Sequence, residues 1–249
     1  MRMREYSESI PKPMVEIGYR PLLWHVMKYY AHFGHTDFIL CLGHRGDLIK
    51  KYFVKYDEFI SNNFVMTNGG KDLRLLHSDI GDWNITFVDT GLNSNIGQRL
   101  QAIEKYLDDD SIFLANYADG LTDLFLPDYL SEFKKSDKVG AFLSVKPTQS
   151  FHFVRFEKDN EPKSIDSIGD SSIWINGGFF IFKREIFRYI KEGEELVNEP
   201  FKRLIAGKQL MTHKHNGFWV AMDTFKDKRF LDDFVSRGAA PWEVWKEKK

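Results

Sequence analysis

Two short segments carry the side chains best suited to chemistry. Asn116-Tyr117-Ala118-Asp119-Gly120 directly follows the apolar run Ile112-Phe113-Leu114-Ala115. A carboxylate leaving a buried strand is placed to hold a hard cation such as Mg²⁺, which takes one or two carboxylates plus phosphate oxygens. The same Asp-Gly pair is also an ordinary turn. Met222-Asp223-Thr224 ends a second apolar stretch, Phe218-Trp219-Val220, before a helical pattern. There Asp223 or Thr224 would serve equally as a helix N-cap. Two carboxylates that each close a buried strand point to one shared cation. Arg2 and Lys12, in a proline-bounded segment, read from spacing alone as solvated surface charge.

Other chemistries lack their residues. The sequence has no G-x-G-x-x-G after a strand, no G-x-x-x-x-G-K-[ST] and no G-x-S-x-G, which disfavours a dinucleotide site, a P-loop and a nucleophile elbow. The single cysteine, Cys41, excludes an intrachain disulfide and a Cys-rich zinc site, and fits a reducing cytoplasmic location. Lying inside an apolar run, Cys41 reads as an inert core residue. His213 and His215 alternate on a strand pattern without a neighbouring carboxylate cluster, and read as structural or exposed. Lys+Arg 35 against Asp+Glu 36 leaves a net charge of -1, with no basic excess for nucleic acid. No apolar run approaches the ~20 residues of a membrane helix, and Met1-Arg2-Met3-Arg4-Glu5 lacks the apolar stretch of a signal peptide.

The elements that must position these residues alternate. With 249 residues, 43% of them hydrophobic, and no linker or repeat, the chain reads as one continuous domain. Pro11-Lys12-Pro13-Met14-Val15 is expected to be extended, because each proline disfavours helix at the residue before it. A helix follows Pro21, with Leu22, Leu23, Val26, Met27 and Tyr30 on its apolar stripe and Gly34 ending it. Strands are expected at 38–43, 85–88 and 112–115, and helices near 48–53 and 96–107. Strand-like character then dominates 139–145, 151–157 and 173–182. In 151–157 the spacing of Phe151 and Phe153 suggests one buried face, though Phe156 breaks strict alternation. Helices return at 185–190, at 200–206 and after Asp223. This pattern predicts an α/β layered fold with a mixed, mostly parallel sheet covered by helices on both faces. In such sheets ligands bind outside the carboxyl ends of the strands. The high aromatic share, 15%, reads as a bulky core; some of the 22 Phe could lie in contacts of a homo-oligomer.

Ordered matches along the chain carry a resemblance. They are Pro11-Lys12-Pro13-Met14-Val15-Glu16-Ile17-Gly18, Leu23-Trp24-His25-Val26-Met27-Lys28, Val88-Asp89-Thr90-Gly91, Gly97-Gln98-Arg99-Leu100, Tyr117-Ala118-Asp119-Gly120, Ile175-Asn176-Gly177-Gly178-Phe179-Phe180, Glu199-Pro200, Gly217-Phe218-Trp219, Met222-Asp223-Thr224 and Ala240-Pro241-Trp242. From Arg2 to Trp245 the chain resembles the sugar-phosphate nucleotidyltransferases, most closely the glucose-1-phosphate cytidylyltransferases.

The resemblance implies a Rossmann-like nucleotide-diphospho-sugar transferase fold and a Mg²⁺-dependent reaction. A sugar 1-phosphate, expected to be glucose 1-phosphate, attacks the α-phosphate of CTP, and pyrophosphate leaves; a relative using UTP or dTTP is the alternative base choice. By family pattern Asp119 and Asp223 hold the cation, while Arg2 and Lys12 neutralise phosphates. Gly43, Gly97 and Arg99 fall in the nucleotide pocket, and Asn176, Gly178 and Glu199 touch the sugar. Such a displacement needs no nucleophilic side chain, so alignment and charge stabilisation suffice.

Two departures accompany the resemblance. Family members begin with a buried strand and a G-x-G-x-R turn, and Met1-Arg2 falls on the last x-R of that motif; the chain is expected to lack the strand and the turn, and a non-catalytic binding homologue is the alternative. The family's Glu-Lys-Pro before Asn-Gly-Gly is replaced by Asp166-Ser167-Ile168. Lys163 and His152 are the candidate substitutes for the missing sugar-phosphate lysine.

Overall fold

The computed structural model describes residues 10–108, 112–148 and 151–246. Lys12–Met14 form a 3₁₀ turn, with Met14 N–H donating to the Pro11 carbonyl at 2.8 Å. This corrects the extended segment expected from the prolines. Pro11 itself is extended, but Pro13 sits in the first turn, where no N–H is required of it. Strands β1 (Glu16–Ile17) and β2 (Arg20–Pro21) turn tightly at Gly18, whose φ is +64° and whose absent Cβ leaves room for Val235. Helix α1 (Leu22–His32) begins after Pro21, and Gly34 follows its end at φ +85°.

Next come β3 (Asp37–Leu42), α2 (Gly46–Val54), the short α3 (Glu58–Ser61) and the hairpin β4 (Phe64–Thr67) with β5 (Asp72–Leu75). β6 (Asn84–Asp89) returns beside β3 in parallel, with Leu42 opposite Asp89. α4 (Ile96–Ile103) opens on a capping box from Asn95 and Gln98 and ends in a 3₁₀ turn, Glu104–Tyr106. β7 (Ile112–Ala115), β8 (Gly120–Thr122), α5 (Leu126–Lys135) and β9 (Gly140–Val145) follow. Then come β10 (His152–Lys158), β11 (Glu161–Ser167), β12 (Ile175–Asn176), β13 (Phe180–Lys183), α6 (Glu199–Ala206), β14 (Leu210–His215), β15 (Trp219–Ala221) and α7 (Phe225–Ser236). The expected helix near 185–190 is a 3₁₀ segment, Arg184–Tyr189.

β9 organises the largest sheet. β14 lies parallel along its whole length, while β13 and β12 pair antiparallel with its beginning and end. β7 joins antiparallel to β13. It follows that β7, β9 and β14 run the same way and present their carboxyl ends at one edge. The sheet is mixed, with more antiparallel pairing than the helix–strand alternation implies. The expected run 173–182 is split because Gly178 and Phe179 both adopt positive φ, +76° and +49°, which breaks the ladder between β12 and β13.

Among the described residues β3 pairs only with β6, and β7 only with β13. The open edges of β3 and β7 face a common cavity of ≈ 1090 Å³, which Ile39, Leu40, Cys41, Phe113 and Leu114 help to line.

The aromatic residues fill the core, as their abundance suggests. Tyr129, Phe133, Phe180, Phe182 and Trp242 are fully buried. The hairpin β10–β11 is the exception: Phe151, Val154, Phe156 and Ile165 are exposed, so the buried face expected there is absent. Period-two spacing marks an apolar face but not what covers it. No described helix is long and apolar enough to cross a membrane.

Candidate active site

Asp119 and Asp223 are brought together by backbone pairing. Gly120 at the start of β8 lies opposite Ala221 at the end of β15, and Met222 N–H donates to the Asp119 carbonyl at 2.9 Å. Asp119, just before β8, and Asp223, just after β15, therefore lie side by side at one end of the pair. Both converge on one ammonium: Lys12 Nζ donates to Asp119 Oδ2 and to Asp223 Oδ1, each at 2.6 Å. The capping alternative for Asp223 is resolved locally. Thr224 is the N-cap of α7 in a capping box with Asp227, which leaves the Asp223 side chain free for Lys12. Burial pulls the Lys12 pKa down, but the Asp119 charge and the hydrogen bonds to both aspartates outweigh it and leave the pKa raised.

Arg99 lines the adjoining cavity, as do Asn116, Tyr117 and Asp119. Its guanidinium Nη1 donates to Thr90 Oγ1 at 2.6 Å and to the Leu42 carbonyl at 3.2 Å, both neutral partners. These hold the arginine in place without offsetting its charge. Gly43 lies against it: a Cβ there would come within 2.6 Å of Arg99 Nη2. Gly97 is placed otherwise. It is buried inside α4, and a Cβ would come within 2.2 Å of the Glu194 carbonyl, so this glycine serves helix–loop packing. Arg2 lies outside the described residues.

The sugar candidates divide in the same way. Asn176 Oδ1 accepts from Gly178 N–H at 2.9 Å, and Asn116 Oδ1 accepts from Phe179 N–H at 3.0 Å. Because Asn116 also lines the cavity, the Asn176–Phe179 turn is tied to its wall. Gly178 is required there: besides its positive φ, a Cβ would come within 2.7 Å of Asn116 Oδ1. Glu199 is exposed at the first turn of α6, facing Lys202 at 4.0 Å. Lys163 and His152 lie on the exposed hairpin β10–β11.

His213 and His215 each have a single carboxylate partner, and among the described residues no carboxylate cluster surrounds either. His213 Nδ1 lies 2.6 Å from Glu132 and His215 Nε2 lies 2.9 Å from Asp123. Cys41 is half-buried, and burial pushes its thiol pKa up despite nearby Arg99. Asn116 and Thr90 stand in segments singled out from sequence, but spacing gave them no role, because their contacts with Phe179 and Leu42 join distant parts of the chain. Among the described residues no group of three or more His, Cys, Asp or Glu side chains could hold a metal ion by itself.

No family model matches the chain. Over 246 residues it is 35% identical to the glucose-1-phosphate cytidylyltransferase of Salmonella typhi, covering 98% of this chain and 95% of that protein. A probable glucose-1-phosphate cytidylyltransferase of Bacillus subtilis is 32% identical with the same coverage. Among solved structures, an apo UDP-glucose pyrophosphorylase superposes with TM-score 0.68 at 16% identity, covering 92% of this chain and 91% of that one. The structural likeness shows the fold, an α/β architecture of the nucleotidyltransferase type, and the sequence likeness shows the rest: this chain belongs to the glucose-1-phosphate cytidylyltransferase family.

Proposed function

We propose that the protein transfers a cytidylyl group from CTP to glucose 1-phosphate. A phosphate oxygen of the sugar phosphate forms a bond to the α-phosphorus, the bond from that phosphorus to the β-phosphate oxygen breaks, and pyrophosphate leaves. The observation that carries this reading is the convergence of Asp119 and Asp223 on Lys12, beside the large cavity that Asp119 helps to line. Two carboxylates already gathered about a cation fit Mg²⁺, which keeps few protein ligands and takes the rest from phosphates. Asp119 and Asp223 would hold that ion, and its chemistry would be neutralisation of phosphate charge. Lys12 and Arg99 supply fixed positive charge for the triphosphate, and alignment does the remainder. A cytoplasmic location and a homo-oligomeric state complete the reading.

The test is pyrophosphate release in the presence of Mg²⁺, glucose 1-phosphate and each nucleoside triphosphate in turn. CTP is expected to support release, and Asp119→Asn or Asp223→Asn to lower it by about 10²- to 10³-fold, the scale of losing a charge-stabilising group. Full turnover in both variants, or none with any triphosphate in the unaltered chain, overturns the assignment.

The same reading includes one further parallel strand between β3 and β7. Two open backbone edges flanking an apolar cavity support it, since buried N–H and C=O groups require partners. Fusing a five-residue apolar strand and a glycine-rich turn ahead of Arg2 is expected to raise Tm by at least about 4 °C, where 1 kcal/mol is worth about 2–4 °C in a chain of this size. It should also shield Cys41 from thiol reagents. An unchanged Tm with unchanged thiol reactivity refutes the added strand.

A further inference from the structure

The Asn176 strand end carries an unassigned pair of cations. Asn176 lies opposite Ser144 on β9, and Ser144 lies opposite Lys214 on β14. Directly opposed residues share a sheet face, so Asn176, Ser144 and Lys214 form one cross-strand row. Their neighbours Ile175, Val145 and His215 point to the other face, where Val145 is buried. Two residues beyond Ser144, Lys146 continues on the side of the row; two before Asn176 stands Trp174. The side chains meet: Lys146 Nζ is 4.8 Å and Lys214 Nζ 5.3 Å from the centre of the Trp174 ring.

Charge makes this row more than a surface pattern. Lys146 donates to the Ser171 carbonyl, a neutral partner, and among the described residues neither lysine meets a carboxylate. Two ammonium groups drawn to one indole repel each other, and a dianion between them removes that repulsion. The row also lies at the carboxyl ends of β9 and β14, the edge from which Asp119 leaves β7. The segment where a lysine is missing, Asp166-Ser167-Ile168, runs into a turn that leans on the same place. The built Cβ of Gly169 would lie 3.5 Å from the Pro147 carbonyl, next to Lys146.

We propose that Lys146 and Lys214, gathered on Trp174, form the seat for the phosphate of the sugar 1-phosphate, in place of the lysine absent at Ser167. The identity of this ligand rests on the transferase reading above. Lys163 and His152, on the exposed hairpin, are not needed for it.

The test compares glucose 1-phosphate and CTP binding by calorimetry in the unaltered chain, Lys146→Met, Lys214→Met and the double variant. Methionine keeps the apolar stem, and thermal melts confirm folding. Each single variant should weaken glucose 1-phosphate binding about 10-fold and the double about 100-fold, as expected for charge-assisted contacts to phosphate. CTP affinity should stay within about 2-fold. Unchanged glucose 1-phosphate affinity in the double variant overturns the seat, as does an equal loss for CTP or no binding by the unaltered chain. Selective loss in the variants, with no pyrophosphate released from any triphosphate by the unaltered chain, keeps the seat and removes the transferase reading.

Discussion

Two clusters in this molecule join cations and carboxylates from distant parts of the chain, and they are built to opposite ends. Around Asp79, one carboxylate accepts from Arg20, Tyr56 and Asn62 at 3.1, 2.6 and 2.9 Å, while Lys28 donates to its carbonyl at 2.9 Å. The Asp79 and Arg20 side chains are only 10% and 13% exposed. Burial raises the Asp79 pKa, but the hydrogen bonds from Tyr56, Asn62 and Arg20 and the Arg20 charge overcome it and leave the pKa lowered. At Lys12 the stoichiometry is reversed. One ammonium serves two carboxylates, leaving one negative charge over, and Asp119 and Asp223 are 30% and 60% exposed. A closed cluster whose carboxylate is held by three donors ties loops together; an open one with surplus negative charge can exchange its cation.

Mutation can break this contrast. The largest stability effect is expected at Asp79: replacing it with Ala strands Arg20 and Tyr56 and should cost about 3–5 kcal/mol in chemical denaturation, the scale of breaking a buried pair from one side. Asp119→Asn and Asp223→Asn, so damaging to turnover, should change stability by no more than about 1 kcal/mol, because solvent reaches both pairs and screens them. If Asp79→Ala melts like the unaltered chain, or Asp119→Asn unfolds it, the two clusters are not distinct in kind.

A smaller, pH-dependent effect sharpens the same point. His25 is fully buried; its Nε2–H donates to the Ile17 carbonyl at 3.0 Å, and Nδ1 accepts from Trp242 Nε1 at 3.3 Å. Burial, assisted by the Lys246 and Arg20 charges and opposed by the Ile17 carbonyl, lowers its pKa to about 4. An unfolded histidine takes its proton near pH 6.5, so between about 6.5 and 4 the unfolded chain binds a proton that the folded chain refuses. His25 therefore costs nothing above about pH 6.5 and should remove up to about 3 kcal/mol of stability as the pH falls to 4. His25→Gln, which keeps a donor but cannot titrate, should flatten that portion of the urea-stability profile; an unchanged slope would show that another group governs it.

Much of the frame was legible in the residues. The stripe of α1, the apolar runs of β3, β6 and β7 and the caps of α4 and α7 are local signals, and the structure follows them. Asp119 and Asp223 were legible because each ends an apolar run. What joins them to Lys12 was not, since the β8–β15 pairing links positions about a hundred residues apart along the chain. For the same reason the Lys146–Trp174–Lys214 cluster is invisible along the chain: cross-strand register creates it. The hairpin β10–β11 misled in the other direction: Phe151 and Phe156 meet solvent and Phe153 is only half-buried. Gly97 matched a motif, yet its immediate neighbour is the Glu194 carbonyl.

An ammonium resting between two acids is a replaceable counterion, and this has a consequence for the proposed reaction. Any other cation held by Asp119 and Asp223 would leave the Lys12 ammonium without an anion. A phosphate oxygen beside them would give that ammonium a new partner. Lys12 would thus couple a change at the two carboxylates to the presence of a phosphate.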